Sequence, residues 1–455
     1  MAREATPSRL SGAILDRRVA PLLGMTTAMS NHVDSYYART LAEPADYPRL
    51  EGEIETETLV IGGGLAGCAL ALDLAERGRK VVLLEAHEIG WGASGRNGGF
   101  VSIGVPNGIP ALVKRVGLAT AQEIYRAARM GHALLRQRIA RYAIACGPIQ
   151  EGALRCNMAR ERESLEAFCA MMARDFDTQY EYWPKARLRE ALATTQYGDA
   201  FLNPHTFTLH PLNLVRGIAR AAAANGARIL TRSPALALTT RGARKEARGE
   251  AGRVRADHLV IACGGYIDGL HGAVSAATVP IATFVMATEP LGERLKQAIR
   301  VPYAISDIKV ATNYYRPLAD TRLLWGGRVL AWEPGAAHLA CVLRRDMAAF
   351  YPGLATARVE TAWGGLMPLT RHKLPVFGEI EPGVWYATGF GGLGLALTTT
   401  AGRLIAAGIV EGDESWRLFA RLGLPYAGGK LGRIPAQLIY WRHQAAASLS
   451  RLRVA

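Results

Sequence analysis

Along this chain, short unbroken apolar runs alternate with stretches whose apolar positions recur every three or four residues, and glycine clusters stand between them. "TLVI", beginning at Thr58, reads as a strand buried on both faces. "GGGLAG" follows, then "CALALDLAERG", rich in helix formers and closed by Gly78 where a helix end favours glycine. "KVVLLE" is a second short strand ending in Glu85, so the pattern predicts a βαβ unit. "IGWGASGRNGG" is too glycine-rich for helix or strand and reads as a loop. Apolar spacing predicts a long amphipathic helix over Thr120–Ala143 and another around "ARERESLEAFCAMMARDF". "HPLNLVRGIARAAAANG" places Pro211 in a first helical turn and Gly226 at the end. "ARILT" and "ADHLVIACGGY" read as two more buried strands joined through a charged hairpin tip, "RKEARGEAGR". Thr278 to Gly365 is β-rich. "VWYATGF" then reads as a return strand to the first sheet, leading into "GFGGLGLALTTTAGR", a second glycine turn that opens a helix.

This order predicts an α/β protein with a discontinuous nucleotide domain. The expected pieces are an N-terminal arm (1–50), a dinucleotide domain (51–110, 200–277 and 361–412), a substrate domain (111–199 and 278–360) and a basic tail (413–455).

Composition narrows the class. With 455 residues, 49% hydrophobic and 20% charged, the chain has material for two or three domains' worth of globular core. The net charge is +15, but the basic residues are scattered, and no Lys/Arg block interleaved with aromatics points to nucleic acid. No acid follows Glu414, whereas Arg417, Arg421, Lys430, Arg433, Arg442, Arg451 and Arg453 do. That tail reads first as a basic arm packed on the protein surface. It is also a candidate for peripheral contact with an anionic membrane. Six cysteines without a CxxC pair indicate reduced thiols and a cytoplasmic setting. The apolar stretch near the N-terminus is broken by Asp16, Arg17 and Arg18, which makes it a poor secretory signal. The histidines form no cluster at metal-ligand spacing, so no metal is expected; His205, His210 and His372 read as loop or capping residues. Cys263 reads as a small buried residue. Oligomeric state is not encoded in any of these features.

Candidate chemistry concentrates at the glycines. Gly62-x-Gly64-x-x-Gly67 follows a strand and opens a helix, the context in which such a turn binds a dinucleotide. The first glycine permits the turn, the second admits a pyrophosphate to the amides of Leu65 and Ala66, and the third lets helix and strand pack closely. Glu85, at the end of the second strand, is positioned to accept hydrogen bonds from ribose hydroxyls. The motif alone leaves NAD and FAD open, and an acid here argues only against a 2′-phosphate. The loop at Gly90–Gly99 favours FAD, because its ribityl chain and ring must run past backbone, where Ser94, Arg96 and Asn97 carry donors.

"VIGGGLAGCALALDLAERG", "LLEAHEIGWGASGRNGG", "ADHLVIACGGY", "NYYRPLADTRLLWGGR", "WGGLMPLTRHKLPVFGE" and "GFGGLGLALTTTAGRLIA" together resemble the FAD-dependent oxidoreductases of the D-amino-acid-oxidase/glycine-oxidase superfamily. Within it the likeness is to enzymes of the γ-glutamylputrescine oxidase type. The resemblance spans nearly the whole chain from about Ser35. It implies a glutathione-reductase-type, Rossmann-like FAD domain carrying a substrate domain with a large antiparallel or mixed sheet and helices. It also implies oxidation of a C–N bond in a secondary amine or polyamine conjugate by hydride transfer to flavin N5. Imine hydrolysis and reoxidation by O₂ or another acceptor would follow. The cofactor-binding positions it implies are Gly62, Gly64, Leu65, Ala66, Gly67, Glu85, Ser94, Gly95, Arg96, Asn97, Gly98, Gly99, Gly264, Gly391, Gly392, Leu393, Gly394 and Leu395. Tyr314, Tyr315 and Trp363 are candidates for pocket walls, and strand alternation allows only one of the two tyrosines to face the flavin.

Departures from the family pattern bear on the substrate. Gly391 and Leu393 stand where many relatives carry Ser and His, which excludes a flavin link through a histidine in this turn. Leu395, Ala396 and Leu397 stand where sarcosine-oxidase-type members place a lysine for the substrate carboxylate. The reading therefore shifts toward an amine without that clamp. An imino- or amino-acid oxidase of the pipecolate, sarcosine or glycine type, with Arg96 or Arg316 as a substitute, is the alternative. The fingerprint by itself also admits an NAD-dependent dehydrogenase.

Overall fold

A computed structural model describes residues 32–43, 45–158, 165–308, 312–332 and 334–452, with no account of side chains from 443 onward. The N-terminal signal question therefore lies outside the described residues, as do positions 159–164 of the second expected helix, which here spans Glu166–Phe176.

The expected βαβ unit is present as strand Gly52–Ile61, helix Leu65–Glu76 and strand Val81–Leu84. It forms the centre of a sheet in which Val384–Thr388, Gly252–Ile261, Gly52–Ile61, Val81–Leu84 and Arg228–Leu230 run parallel in that order. The return strand pairs beside Gly252–Ile261, with Ile261 opposite Tyr386. The charged hairpin tip is itself partly strand: Lys245–Arg248 runs antiparallel to Gly252–Ile261.

The helix Leu65–Glu76 is buried almost all round because it lies between the sheet and two further helices, Pro211–Ala224 and Gly394–Glu411. A helix covered on every side must be apolar on every face. Asp73 is the exception. It is fully buried and pairs with Arg138 at 2.9 Å and Arg77 at 3.2 Å, tying this helix to the long helix Leu118–Arg141. Small residues set the helix spacing, and a Cβ on Gly402 would stand 2.8 Å from the Leu70 amide nitrogen.

Among the described residues the second sheet has nine strands. Its main order is Val359–Thr370, Thr278–Thr288, Leu323–Leu330, Tyr314–Pro317, Ala304–Asp307, Gln150–Met158, Tyr197–Thr208 and Phe100–Val101, with Glu181–Trp183 beside Tyr197–Thr208. All neighbours are antiparallel except Ala304–Asp307 with Gln150–Met158. This is the mixed α/β architecture the motif order predicts. Strand pairing draws its borders differently from the expected 200 and 361, since Tyr197–Thr208 and Val359–Thr370 both belong to the second sheet. Apolar patterning reveals a strand but not which sheet it joins.

The basic tail ends in helix Arg433–Leu452. Gln437 is buried on its inner side and accepts a hydrogen bond from the Ala331 amide at 2.8 Å, while Leu431, Ile434, Leu438, Ile439 and Trp441 are exposed. No helix among the described residues is long and apolar enough to cross a membrane.

Candidate active site

The two sheets and their loops enclose a cavity of about 1140 Å³. That exceeds the ~300–1,000 Å³ of ordinary small-molecule sites, leaving room for an extended cofactor and a second molecule. One end is lined by Gly62, Gly64, Leu65, Ala66, Glu85 and Gly264, and the other by Gly391, Gly392, Leu393, Gly394 and Leu395.

At the first end, Gly62 has φ +110° and a Cβ there would stand 2.7 Å from the Ala262 carbonyl oxygen. Gly67 lies behind the cavity wall, and a side chain on it would overlap the Gly62 carbonyl. Glu85 accepts hydrogen bonds from the Gly63 amide at 2.6 Å and the His87 amide at 2.8 Å. Burial raises its carboxyl above the usual range, and those amide bonds oppose the shift. Its two oxygens hold the turn in shape while their remaining lone pairs stay available at the cavity. Cys263 lines the same end, its thiol pushed up to about 12 by burial and by Glu85, so it carries no thiolate.

The glycine loop locks onto this turn. Ser94 Oγ accepts from the Leu65 amide at 2.9 Å, which leaves its proton to donate into the cavity. The Arg96 guanidinium lies 4.3 Å over Trp91. Its Nε donates to the Trp91 carbonyl at 2.6 Å and its Nη1 to the Gly364 carbonyl at 3.2 Å. Its Nη2 is buried and has no partner among the described residues. Asn97 corrects the expectation. Its amide donates to the carbonyls of Ala93 and Ser94 and accepts from the Gly99 amide at 2.9 Å, so it shapes the loop and has no donor left for a ligand. Asn97 still lines the cavity, whereas Gly95 and Gly99 do not; they press against the carbonyls of Gly90 and Leu209. Gly98 does line it, beside the Tyr314 ring.

At the second end, Gly391 and Gly392 have φ +46° and +92°, and helix Gly394–Glu411 begins with no side chain capping its N-terminus. Uncapped amides at a helix start attract an electron-rich group. The orphaned Arg96 Nη2, the free Ser94 proton and these amides form a donor set suited to FAD, with pyrophosphate at one turn and ring at the other.

The aromatic candidates separate. Tyr314 faces the cavity, its ring fitted over the bare backbone of Gly326, and burial pushes its phenol up to about 12. Tyr315 points the other way into the second core, stacked on Trp325 at 4.3 Å and hydrogen-bonded to Tyr351 at 2.8 Å. Strand alternation is the reason. Trp363 is only 3% exposed and does not line the cavity; it donates from Nε1 to the Arg96 carbonyl at 2.9 Å and supports the loop from behind. Arg316 is likewise committed, to the Gly98 and Leu209 carbonyls and to Thr208. His210 caps helix Pro211–Ala224 by accepting from the Asn213 amide, and burial and Arg316 push it down to about 4. Among the described residues no cluster suits a metal ion.

Sequence reasoning missed the wall formed by Arg155, Phe168, Tyr180, Phe201 and Ser306. These residues come from segments without a motif. The one local sign was an arginine inside the largely apolar stretch "GALRC".

A model of FAD-dependent oxidoreductases, the DAO family, matches residues 57–407. Two curated relatives extend over most of the chain. A gamma-glutamylputrescine oxidoreductase of Escherichia coli is 32% identical over 90% of this chain and 96% of its own. A probable oxidoreductase, OrdL, of Haemophilus influenzae is 30% identical over 90% and 94%. Among solved structures, glycine oxidase from Geobacillus kaustophilus superposes with a TM-score of 0.66 at 22% identity, covering 79% of this chain and 96% of that one. L-proline dehydrogenase from P. horikoshii gives 0.67 at 17% identity, covering 85% and 99%. These two share the fold. The chain belongs to the FAD-dependent oxidoreductases of the DAO family, and FAD is its cofactor.

Proposed function

We propose that this enzyme oxidises the C–N bond of a secondary amine or polyamine conjugate, in the manner its likeness to a gamma-glutamylputrescine oxidoreductase indicates. The observation that carries the reading is the depth of the cavity. Beyond Tyr314 it continues past Ser306 to Phe201 and Phe168, space that a glycine-sized substrate would leave unfilled. The carboxylate clamp of compact amino-acid oxidases is also missing, since Leu395, Ala396 and Leu397 occupy that stretch.

In this reading the Ala66 amide and the Ser94 hydroxyl, itself held by the Leu65 amide, would donate to the FAD pyrophosphate, and Arg96 Nη2 would supply a further donor to the cofactor. Glu85 would accept from the ribose, and Gly391–Leu395 would border the ring. Bound FAD supplies a two-electron acceptor. The chain's own task is to hold the amine neutral and oriented, and to keep water away while electrons leave it. Tyr314, neutral at any working pH, forms part of that wall. A lone pair on the substrate nitrogen removes the need for a protein base.

Anaerobic titration of the flavin-loaded enzyme with putrescine conjugates, pipecolate, sarcosine and glycine tests this. Bleaching of the flavin absorbance by the conjugates at lower concentration than by the others is the expected result. Bleaching only by pipecolate, sarcosine or glycine would replace the reading with an imino- or amino-acid oxidase.

A further inference from the structure

The far wall of the cavity contains a charge that the reaction does not need. Arg155 lies on strand Gln150–Met158, opposite Ser306 on one neighbour and Phe201 on the other, and Ser306 in turn faces Tyr314. Tyr314, Ser306, Arg155 and Phe201 therefore form one row across four adjacent strands, and all four line the cavity. At ~4.8 Å per strand, Arg155 stands roughly 10 Å along that row from Tyr314.

Among the described residues, Arg155 forms no hydrogen bond and no ion pair. Its closest electrostatic partner is Asp307, which follows Ser306 and so points to the opposite face of the sheet. The Asp307 carboxylate accepts instead from the Asn313 backbone amide at 3.1 Å and the Asn313 side chain at 2.8 Å. Burial pulls the Arg155 guanidinium below the usual arginine range, with Asp307 opposing. Of the other cavity arginines, Arg328 is paired with Asp346 at 2.5 Å, and Arg96 is held by two carbonyls at the glycine loop, where its remaining Nη2 belongs to the donor set for the cofactor. A guanidinium taken from water without an anion is costly, and that cost is offset when a carboxylate enters. On the side of Arg155 away from Tyr314, Tyr180 stacks on Phe201 at 4.7 Å and Phe168 lies 5.3 Å from the same ring, so an aromatic wall backs the guanidinium.

We propose that Arg155 binds a carboxylate at the end of the substrate remote from the oxidised carbon, making this an oxidase or dehydrogenase of amines with a distal anion. The substrate class is a linear amine whose carboxylate lies roughly 10 Å from its reacting end, as in an amino-acid conjugate of a diamine. An α-amino acid, with its carboxylate one bond from the oxidised carbon, does not span the row. This inference rests on the amine-oxidation reading above.

The test compares wild type with Arg155→Gln and Arg155→Lys, each as holoenzyme, on a γ-glutamyl conjugate of putrescine, on the same conjugate with its carboxylate amidated, and on free putrescine. Wild type should show a KM for the carboxylated conjugate roughly ten- to a hundredfold below that for the amidated one, the effect of a charged hydrogen bond. Arg155→Gln should erase that preference by raising KM for the carboxylated conjugate alone. Its kcat, flavin content and Tm should remain near wild type, and Arg155→Lys should recover part of the preference. A wild-type preference that survives in Arg155→Gln overturns the proposal, as does an equal loss on the amidated conjugate. If amines bleach the wild-type flavin with no regard to the carboxylate, the role of Arg155 fails while amine oxidation stands. If no amine bleaches it, both fall.

Discussion

The two glycine turns at the ends of the cavity look alike in sequence and differ in what presses on them. In the first, Gly62 and Gly67 are surrounded by the protein's own backbone: a Cβ on either would meet the carbonyl of Ala262 or of Gly62. Glu85 and Ser94 bond to the amides of Gly63 and Leu65, so the turn is built before any ligand arrives. In the second, a Cβ on Gly392 would find only the Met367 sulfur at 3.9 Å, and one on Gly394 nothing nearer than 3.5 Å. Packing explains the first set of glycines. Gly391 is still packed, 3.2 Å from Leu369 and Pro106, but Gly392 and Gly394 stand open, and backbone shape and room for a ligand explain them.

Substitutions sharpen the contrast, and the largest effect belongs to the first turn. Gly67→Ala forces a Cβ into the Gly62 carbonyl and should cost at least roughly 1–3 kcal/mol of stability, with most of the bound flavin lost. The ratio of flavin to protein absorbance and the Tm of the purified variant measure it, and a stable yellow protein would break the comparison. Gly394→Asp comes next. It places a carboxylate at the uncapped start of helix Gly394–Glu411, and should lower flavin content or make the flavin harder to reduce. About 1 kcal/mol at a helix terminus corresponds to about 20 mV for a two-electron couple. A redox titration against a dye of known potential reads the shift.

Ser94→Ala removes the hydroxyl that accepts from the Leu65 amide and should lower stability by about 1 kcal/mol, with weaker FAD retention on dilution. Urea denaturation of wild type and variant, with flavin release followed by fluorescence, checks both parts. Gly394→Ala is the smallest and most diagnostic change. Its Cβ meets no protein atom closely, and alanine is the better helix former by about 1 kcal/mol, so flavin-free protein should be as stable as wild type or slightly more so. A loss of flavin affinity without loss of apoprotein Tm would assign this glycine to the ligand.

Much of the fold was legible because its signals are local. The run "TLVI", the fingerprint and "KVVLLE" lie within one short segment, and their periodicity specifies strand, turn, helix and strand. Ser94 and Glu85 were singled out from the sequence and both line the cavity, although the bonds they make to the turn were not legible. Asn97 looked like a donor for a ligand because its residue type fits; only the folded loop shows both ends of its amide consumed. Tyr314 and Tyr315 were legible as a pair with one facing in. Which one depended on where the strand sits in the second sheet.

By itself the sequence determined the class of cofactor, the βαβ core and the two glycine turns, since each follows from contiguous residue types and spacing. Tertiary structure decided the far wall of the cavity. Arg155, Ser306 and Tyr314 become neighbours through a parallel and an antiparallel strand pairing between segments far apart in the chain. Hydrogen-bonded register between distant strands leaves no periodic trace in either one, so that row of side chains exists only once the sheet has formed.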